Sequence, residues 1–409
     1  MGSPGYGSRG RVSNVPIRRL ERPGPRELLA LASGQIMCSL DWLPSILTLA
    51  PQGRSVVNGG GARFQNRTGL VGVVRRVTTV MLLLAASGAS GRSVAADAFE
   101  QNRRLGRGVN VPVWNADFRS ARGLPDIQAE DLEAIRRAGF SHVRLNLHPF
   151  RGVENGASRE VDRAWLNELD RVVEHALARG LMVVLDFHES NEMASDPARR
   201  KEQFLAFWAQ IAERYRRQPP ELLFEILNEP HGRLTSKLWN QFLRAALDTI
   251  RRTNPDRTVA IGPAPWNDLG HLRELELPED DRHLIVTIHY YRPMEFTHQG
   301  AAWTRQRRGR GVPWNGTPEE REAVTRDFYR AQEWCRDHRR PLYMGEFGAL
   351  EGADMPSRVR YIDYVARQAE QRGLSWAFWL SKGDLIVDAD SGKRLIEPIR
   401  KALFPRRED

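Results

Sequence analysis

The sequence predicts an α/β protein closed into a (β/α)8 barrel, and three observations predict it. From residue 105 onward, short apolar runs alternate with amphipathic segments. Eight such units fit into about 300 residues, the size and rhythm of a (β/α)8 barrel. The apolar runs are continuous, as in Val183-Val184-Leu185, and that is the mark of parallel strands buried on both faces. Several helical segments stop at a glycine, as at Ala138-Gly139, Arg179-Gly180 and Arg372-Gly373, where a left-handed residue closes a helix. A doubly wound open sheet is the structural alternative.

Taken in order, the strands are expected at 108–112, 142–147, 181–188, 222–228, 258–262, 284–291, 342–346 and 374–380. Helices are expected between them at 127–138, 163–178, 200–217, 236–252, 269–275, 318–337 and 357–371, with a last one at 396–403. Leu166, Leu169, Val172, Val173 and Ala176 show the reasoning for a helix, since they recur on one face. Between strand 6 and its helix runs a long insert, 292–317, which contains Trp303, Trp314 and arginines 305, 307, 308 and 310. Those arginines read most simply as a solvated loop face.

Two strands end on an acid. Glu229 closes Phe224-Glu225-Ile226-Leu227-Asn228-Glu229-Pro230, and Glu346 closes Leu342-Tyr343-Met344-Gly345-Glu346 ahead of Phe347-Gly348. At the end of a parallel strand such side chains face the mouth of the sheet, where α/β folds place their chemistry. The two lie 117 residues apart in sequence, so only tertiary structure can pair them. A facing pair of carboxylates is the minimum equipment for cleaving a glycosidic bond.

Composition narrows the classes. The chain has 409 residues, 41% hydrophobic and 27% charged, with a formal charge of +10. Residues 1–96 hold twelve arginines, no lysine and three acids, so nine of the ten excess charges lie there. The remaining 97–409 is close to neutral, which argues against a nucleic-acid partner for the folded part. No Cys/His cluster has metal spacing; Asp186-x-His188 and His289-x-Tyr291 lack a third ligand, and no metal or cofactor is expected. Cys38 lies in the first segment and Cys335 in a helix, which leaves no disulfide within 97–409.

Residues 1–96 read as a leader, a disordered extension followed by a secretory signal. Arg75-Arg76 precedes an apolar core at 77–86, and small residues run up to Val94-Ala95-Ala96. The core has about ten residues, against roughly twenty for a bilayer span, so cleavage near Ala96 is expected in place of a membrane anchor. A secreted or periplasmic location follows. The seventy residues ahead of the signal suggest a true start near 71–74, a genuine tail being the alternative.

Seven fragments then stand in order at strand ends. They are Arg107-Gly108-Val109-Asn110, Val143-Arg144-Leu145, Leu185-Asp186-Phe187-His188, Leu227-Asn228-Glu229-Pro230, Thr287-Ile288-His289-Tyr290-Tyr291, Gly345-Glu346-Phe347-Gly348 and Trp376-Ala377-Phe378-Trp379. With these, the stretch from Gly106 to about Phe404 resembles glycoside hydrolase family 5, the retaining cellulase family of (β/α)8 barrels. The resemblance implies that Glu229 is the acid/base and Glu346 the nucleophile. It implies that Arg144 and Tyr291 hold Glu346 ionised, that Asn228 bonds the sugar 2-hydroxyl, and that His188 and His289 line the site. Trp379 would offer its face to a sugar ring, while Trp376 and Asp186 read as structural. Trp266 and Trp114 read either as stacking subsites or as core. The implied reaction is retaining hydrolysis of internal β-1,4-glucosidic bonds in a β-glucan by a monomer. Mannan, glucomannan, xyloglucan or a β-1,3-glucan is the alternative within the family, and a non-catalytic carbohydrate-binding barrel the alternative outside it.

Deleting residues 1–96 should leave the melting temperature and activity of the purified domain within error of the full chain, because they supply no barrel element. Loss of soluble protein on deletion would show that a structural part had been removed.

Overall fold

The computed structural model describes residues 97–111, 124, 127–150, 159–305, 309–380, 384–388 and 392–405. The expected leader at 1–96, Trp114, Arg307 and Arg308 lie outside these residues. Eight parallel strands close into a barrel: β1 (Arg107–Val111), β2 (His142–Leu147), β3 (Met182–Phe187), β4 (Leu222–Glu225), β5 (Val259–Ile261), β6 (Leu284–Tyr290), β7 (Leu342–Phe347) and β8 (Ser375–Phe378). β1 pairs with β8 through Gly108 and Ala377, so the sheet has no edge and the open-sheet alternative is excluded.

Among the described residues, α1 (Ala98–Leu105) comes first, and outside the barrel lie α2 (Ala129–Ala138), α3 (Arg163–Ala178), α4 (Ser190–Ser195), α5 (Pro197–Arg214), α6 (Ser236–Arg251), α7 (Met294–Thr297), α8 (Pro318–Asp337), α9 (Met355–Gln371) and α10 (Glu397–Leu403). A short antiparallel hairpin, β9 (Leu385–Asp388) with β10 (Gly392–Leu395), precedes α10. Side-chain caps start several helices, as Asp162 does for Trp165 N–H and Asp354 for Ser357 N–H. The segment 269–275, expected as a helix of the ordinary kind, is a 3₁₀ helix at Leu269–Glu274, short enough for that tighter winding.

The sequence reading assigns no element between residues 97 and 105, and the structure has a helix there. α1 is capped by Asp97 and seals the bottom of the barrel. Its Ala98 and Leu105 pack with Met182, Val184, Leu223, Ile285, Tyr343 and Ala377, an inner cluster distinct from the larger one between strands and helices. Gln101 Nε2 donates to Pro220 O at 3.1 Å and Asn102 Nδ2 to Gly373 O at 3.2 Å, which satisfies carbonyls at the turns into two strands. Eight residues give too few helical repeats to read by periodicity. Just above this plug the interior turns polar: the His142 ring bridges Leu105 O at 2.8 Å and the Tyr343 hydroxyl at 3.1 Å.

Gly108 is where the His142 ring lies flat against β1. A Cβ built there would stand 2.1 Å from His142 Cε1, so the ring must leave or the strand must shift. Gly108→Ala should therefore cost about 1–3 kcal/mol, the usual penalty of overpacking, measured by urea denaturation. An unchanged midpoint would mean that His142 has a second place to go.

Candidate active site

At the upper end of the barrel the strands stop on polar residues, and β4 turns most sharply. Ile226 N–H still bonds Ala260 O at 3.2 Å, and Asn228 N–H bonds Phe187 O at 3.0 Å, so the chain stays stitched to β5 and then to β3. Glu229 next adopts φ +40°, a left-handed conformation that costs a non-glycine residue of order 1 kcal/mol or more. Its carbonyl receives His231 Nδ1 at 2.7 Å, and Pro230 O receives Trp266 N–H at 3.0 Å. Those bonds hold the strained turn that presents the Glu229 carboxyl.

β7 reaches the same place by a different device. Ile288 pairs with Met344, but His289 pairs with Glu346, so Gly345 is an extra residue. Met344 and Phe347 both pack in the outer core, and the bulge leaves Glu346 facing the interior between them. Thr287 Oγ1 would lie 2.6 Å from a Cβ at Gly345, so the bulge needs a glycine.

The two carboxyls meet. One oxygen of Glu229, one of Glu346 and a ring nitrogen of His289 all lie within 4.8 Å of one another. His289 Nδ1 is 2.7 Å from Glu229 Oε1 and 3.5 Å from Glu346 Oε2. On its other side Asn267 Nδ2 approaches His289 Nε2 at 3.3 Å. With Asn267 donating, the ring carries its proton on Nδ1 and points it at the carboxyls. Three such atoms could also converge on a divalent cation, but their bonds to one another and to neighbouring side chains already account for their closeness.

Arg144, fully buried, organises the rest. Nε and Nη2 donate to the two oxygens of Glu225 at 2.8 and 2.9 Å. Nη1 donates to Asn110 Oδ1 and to Glu346 Oε1, both at 2.8 Å, and Nη2 also to Asn228 Oδ1 at 2.9 Å. All five N–H bonds are thus used. Since Asn228 accepts through Oδ1, its Nδ2 remains to donate. Tyr291 completes the set, its hydroxyl donating to Glu346 Oε2 at 3.0 Å. His188 is held through Nδ1 by Asp186 Oδ2 at 2.5 Å and lies nearly parallel to Trp379, ring centres 6.2 Å apart. Trp376 is buried in the outer core with its indole N–H on Glu370.

Every sequence-identified site residue therefore lies at one end of the barrel: Arg144, His188, Asn228, Glu229, His289, Tyr291, Glu346 and Trp379. Trp266 stands there too, 48% exposed and stacked on His231 at 3.5 Å. Trp314, by contrast, is buried against Tyr361 and Tyr364. Sequence reasoning missed Glu225, Asn110 and Asn267 as members of the site. Glu225 carried a usable signal, an acid inside an otherwise apolar buried strand; Asn267 carried none.

Burial pushes the Glu229 carboxyl up to about 7 against the pull of Arg144, and pushes Glu346 up to about 7 against His289 and Arg144. The two carboxyls lie close enough to titrate as a coupled pair. Glu346 receives donors from both Arg144 and Tyr291, and Glu229 one from His289, so the ionised form is better supported at Glu346. Burial also keeps His289 and His188 neutral and the Tyr291 hydroxyl protonated.

Fold and site together define a (β/α)8 barrel with paired glutamates at its mouth, and comparison with known proteins gives its family. The family model "Cellulase (glycosyl hydrolase family 5)" matches residues 104–384, and the chain belongs to glycoside hydrolase family 5. It is 33% identical over 288 residues to Endoglucanase H of Acetivibrio thermocellus, covering 70% of this chain and 30% of that protein. Endoglucanase 3 of Fibrobacter succinogenes is 26% identical over 352 residues, covering 73% and 52%. The chain thus spans about a third and about half of the lengths of these two relatives. Among solved structures, endoglucanase Cel5A of Thermotoga maritima superposes with a TM-score of 0.69 at 39% identity, over 75% of this chain and all of that one.

A carboxyl whose folded-state pKa exceeds its unfolded value costs nothing below the unfolded value and its full penalty above the folded one. Stability should accordingly fall as pH rises from about 4.5 through about 7. Glu229→Gln removes that penalty and should stabilise the protein by on the order of 2 kcal/mol at pH 8, and by little at pH 4.5. Thermal or urea melts at the two pH values check this; equal effects at both would contradict the burial argument.

Proposed function

We propose that this chain is a retaining endo-β-1,4-glucanase acting on cellulose-like β-glucan. The observation that carries the reading is the separation of the two carboxyls, with oxygens of Glu229 and Glu346 within 4.8 Å. Retaining glycosidases hold the pair about 5–5.5 Å apart, whereas inverting ones need roughly 6.5–9.5 Å to admit a water. The endoglucanase names borne by the relatives support the substrate class.

In the first step the Glu346 carboxylate attacks the anomeric carbon while Glu229 gives its proton to the departing glycosidic oxygen. The bond breaks and a glycosyl ester on Glu346 remains. In the second step Glu229, now ionised, takes a proton from water as the water displaces Glu346. Two inversions leave the configuration retained. Asn228 Nδ2 serves the sugar 2-hydroxyl, and the faces of Trp379 and Trp266 suit the apolar side of a pyranose.

A mannan substrate is the second reading, favoured by one observation. Thermotoga maritima Cel5A, 38% identical to this chain, has been solved in complex with both cellobiose and mannotriose. A reducing-sugar assay on carboxymethylcellulose, β-glucan, glucomannan and galactomannan distinguishes the two, and no turnover of any would favour a non-catalytic carbohydrate-binding barrel. Export through the signal at 77–86, with cleavage near Ala96, belongs to the same reading; N-terminal sequencing of the exported protein tests it.

The glutamates should separate by role. Glu346→Ala should abolish both steps, leaving under about one ten-thousandth of turnover. Glu229→Ala should still be glycosylated by an activated aryl glycoside, and added azide should then yield the β-glycosyl azide. Azide added to Glu346→Ala should yield the α-azide. Interchanged products would reverse the two roles.

A further inference from the structure

Glu225 lies on β4, below the mouth and fully buried, and nothing in the two-step reaction uses it. Its two oxygens take the Nε and Nη2 edge of Arg144 at 2.8 and 2.9 Å. A guanidinium is planar, so holding two nitrogens along one edge fixes the direction of the third. That third nitrogen is Nη1, which reaches Glu346 Oε1 at 2.8 Å. Asp186 approaches Nη2 through a single oxygen at 3.1 Å, and one such contact leaves the plane free to turn.

We propose that Glu225 is the positioning residue of the nucleophile: its two-point grip on Arg144 aims the guanidinium at Glu346 and Asn228, and its charge sets how strongly Arg144 favours the ionised site. The proposal rests on the glycosidase reading of the site and deepens it.

The charge count supports the second half. One guanidinium contacts the carboxyls of Glu225, Asp186 and Glu346 and attracts that of Glu229, with His289 and the Tyr343 hydroxyl also within electrostatic reach of Glu225. Arg144 therefore divides its attraction among several anions. Glu225 makes two of these contacts, at 2.8 and 2.9 Å along one guanidinium edge, and with Asp186 it leads the carboxylates that attract Arg144. Removing its charge returns that attraction to Glu346 and Glu229, so both would ionise at lower pH.

The test compares wild type with Glu225→Gln and Glu225→Asp. Glu225→Gln keeps the shape and drops the charge; kcat should fall about 10–100-fold with KM within about twofold. Both limbs of its kcat/KM–pH profile on soluble β-glucan should move to lower pH by roughly 0.5–1 unit. Glu225→Asp keeps the charge but shortens the reach; kcat should fall while the limbs stay in place. Carboxyl titration of ¹³C-glutamate-labelled wild type and Glu225→Gln by NMR gives the same shift without any substrate. If wild type hydrolyses none of the polysaccharides, the glycosidase reading fails, and the NMR midpoints still decide whether Glu225 tunes the pair. Lower kcat with unmoved limbs and unmoved midpoints in Glu225→Gln would overturn the proposal and leave Glu225 a structural ion-pair partner. Should Glu225→Gln not fold, a profile for Glu225→Asp displaced toward acid would overturn it equally.

Discussion

The guanidinium of Arg144, buried inside the barrel with all five N–H bonds engaged, is the interaction on which the upper half of the molecule depends. It binds β2 to side chains from β1, β4 and β7 at once. Burial by itself would strip the proton from such a group, yet the carboxylates of Asp186, Glu225 and Glu346 hold it firmly protonated. An isolated charge here would be intolerable; a charge with every hydrogen spoken for is not. The same bonds orient Asn228 and Glu346, so the element that makes the cation bearable also aims the groups that the proposed reaction would use.

Below that layer the barrel is built as an ordinary core, with α1 and the His142–Tyr343 pair closing the floor. Above it, carboxyls stand closer than they would if stability alone were served. Glu229 and Glu346 each hold a proton to higher pH than a solvated glutamate does, because burial penalises their charge. That destabilises the free protein at neutral pH and, in the proposed reaction, would supply one acid and one ionised nucleophile side by side. Backbone strain follows the same division. Glu229 and the pair Trp266 and Asn267 hold positive φ at the mouth, where Glu229 contacts His289, Trp266 is exposed and Asn267 contacts His289 from its other side.

The neighbours in sequence of the two glutamates show two solutions to one problem. A parallel strand alternates its side chains, and simple alternation from Tyr343, which faces in, would send Glu346 outward and Phe347 inward. The bulge at Gly345 reverses this. On β4 no bulge is needed, because the left-handed turn at Glu229 ends the alternation altogether. Membership of glycoside hydrolase family 5 fits both devices, since each delivers a carboxyl to the same end of the barrel.

Much of this was legible in the amino-acid sequence. The eight strands could be read because strands covered on both faces are apolar throughout, and the helices because their apolar residues repeat on one face and they stop at glycines. Glu229 and Glu346 could be read because an acid directly after such a run has nowhere to go but the strand end. Those are properties of neighbouring residues, and local chemistry dictates them. The chain's closure on itself, the floor made by α1, the inward turn of Glu346 and the grip of Glu225 on Arg144 were decided only in three dimensions. Each depends on register between segments far apart in sequence, Glu225 and Arg144 by 81 residues and Arg144 and Glu346 by 202. A residue's neighbours along the chain do not encode which distant side chain will meet it, and a shift of one residue in register would have turned the same acids toward the helices.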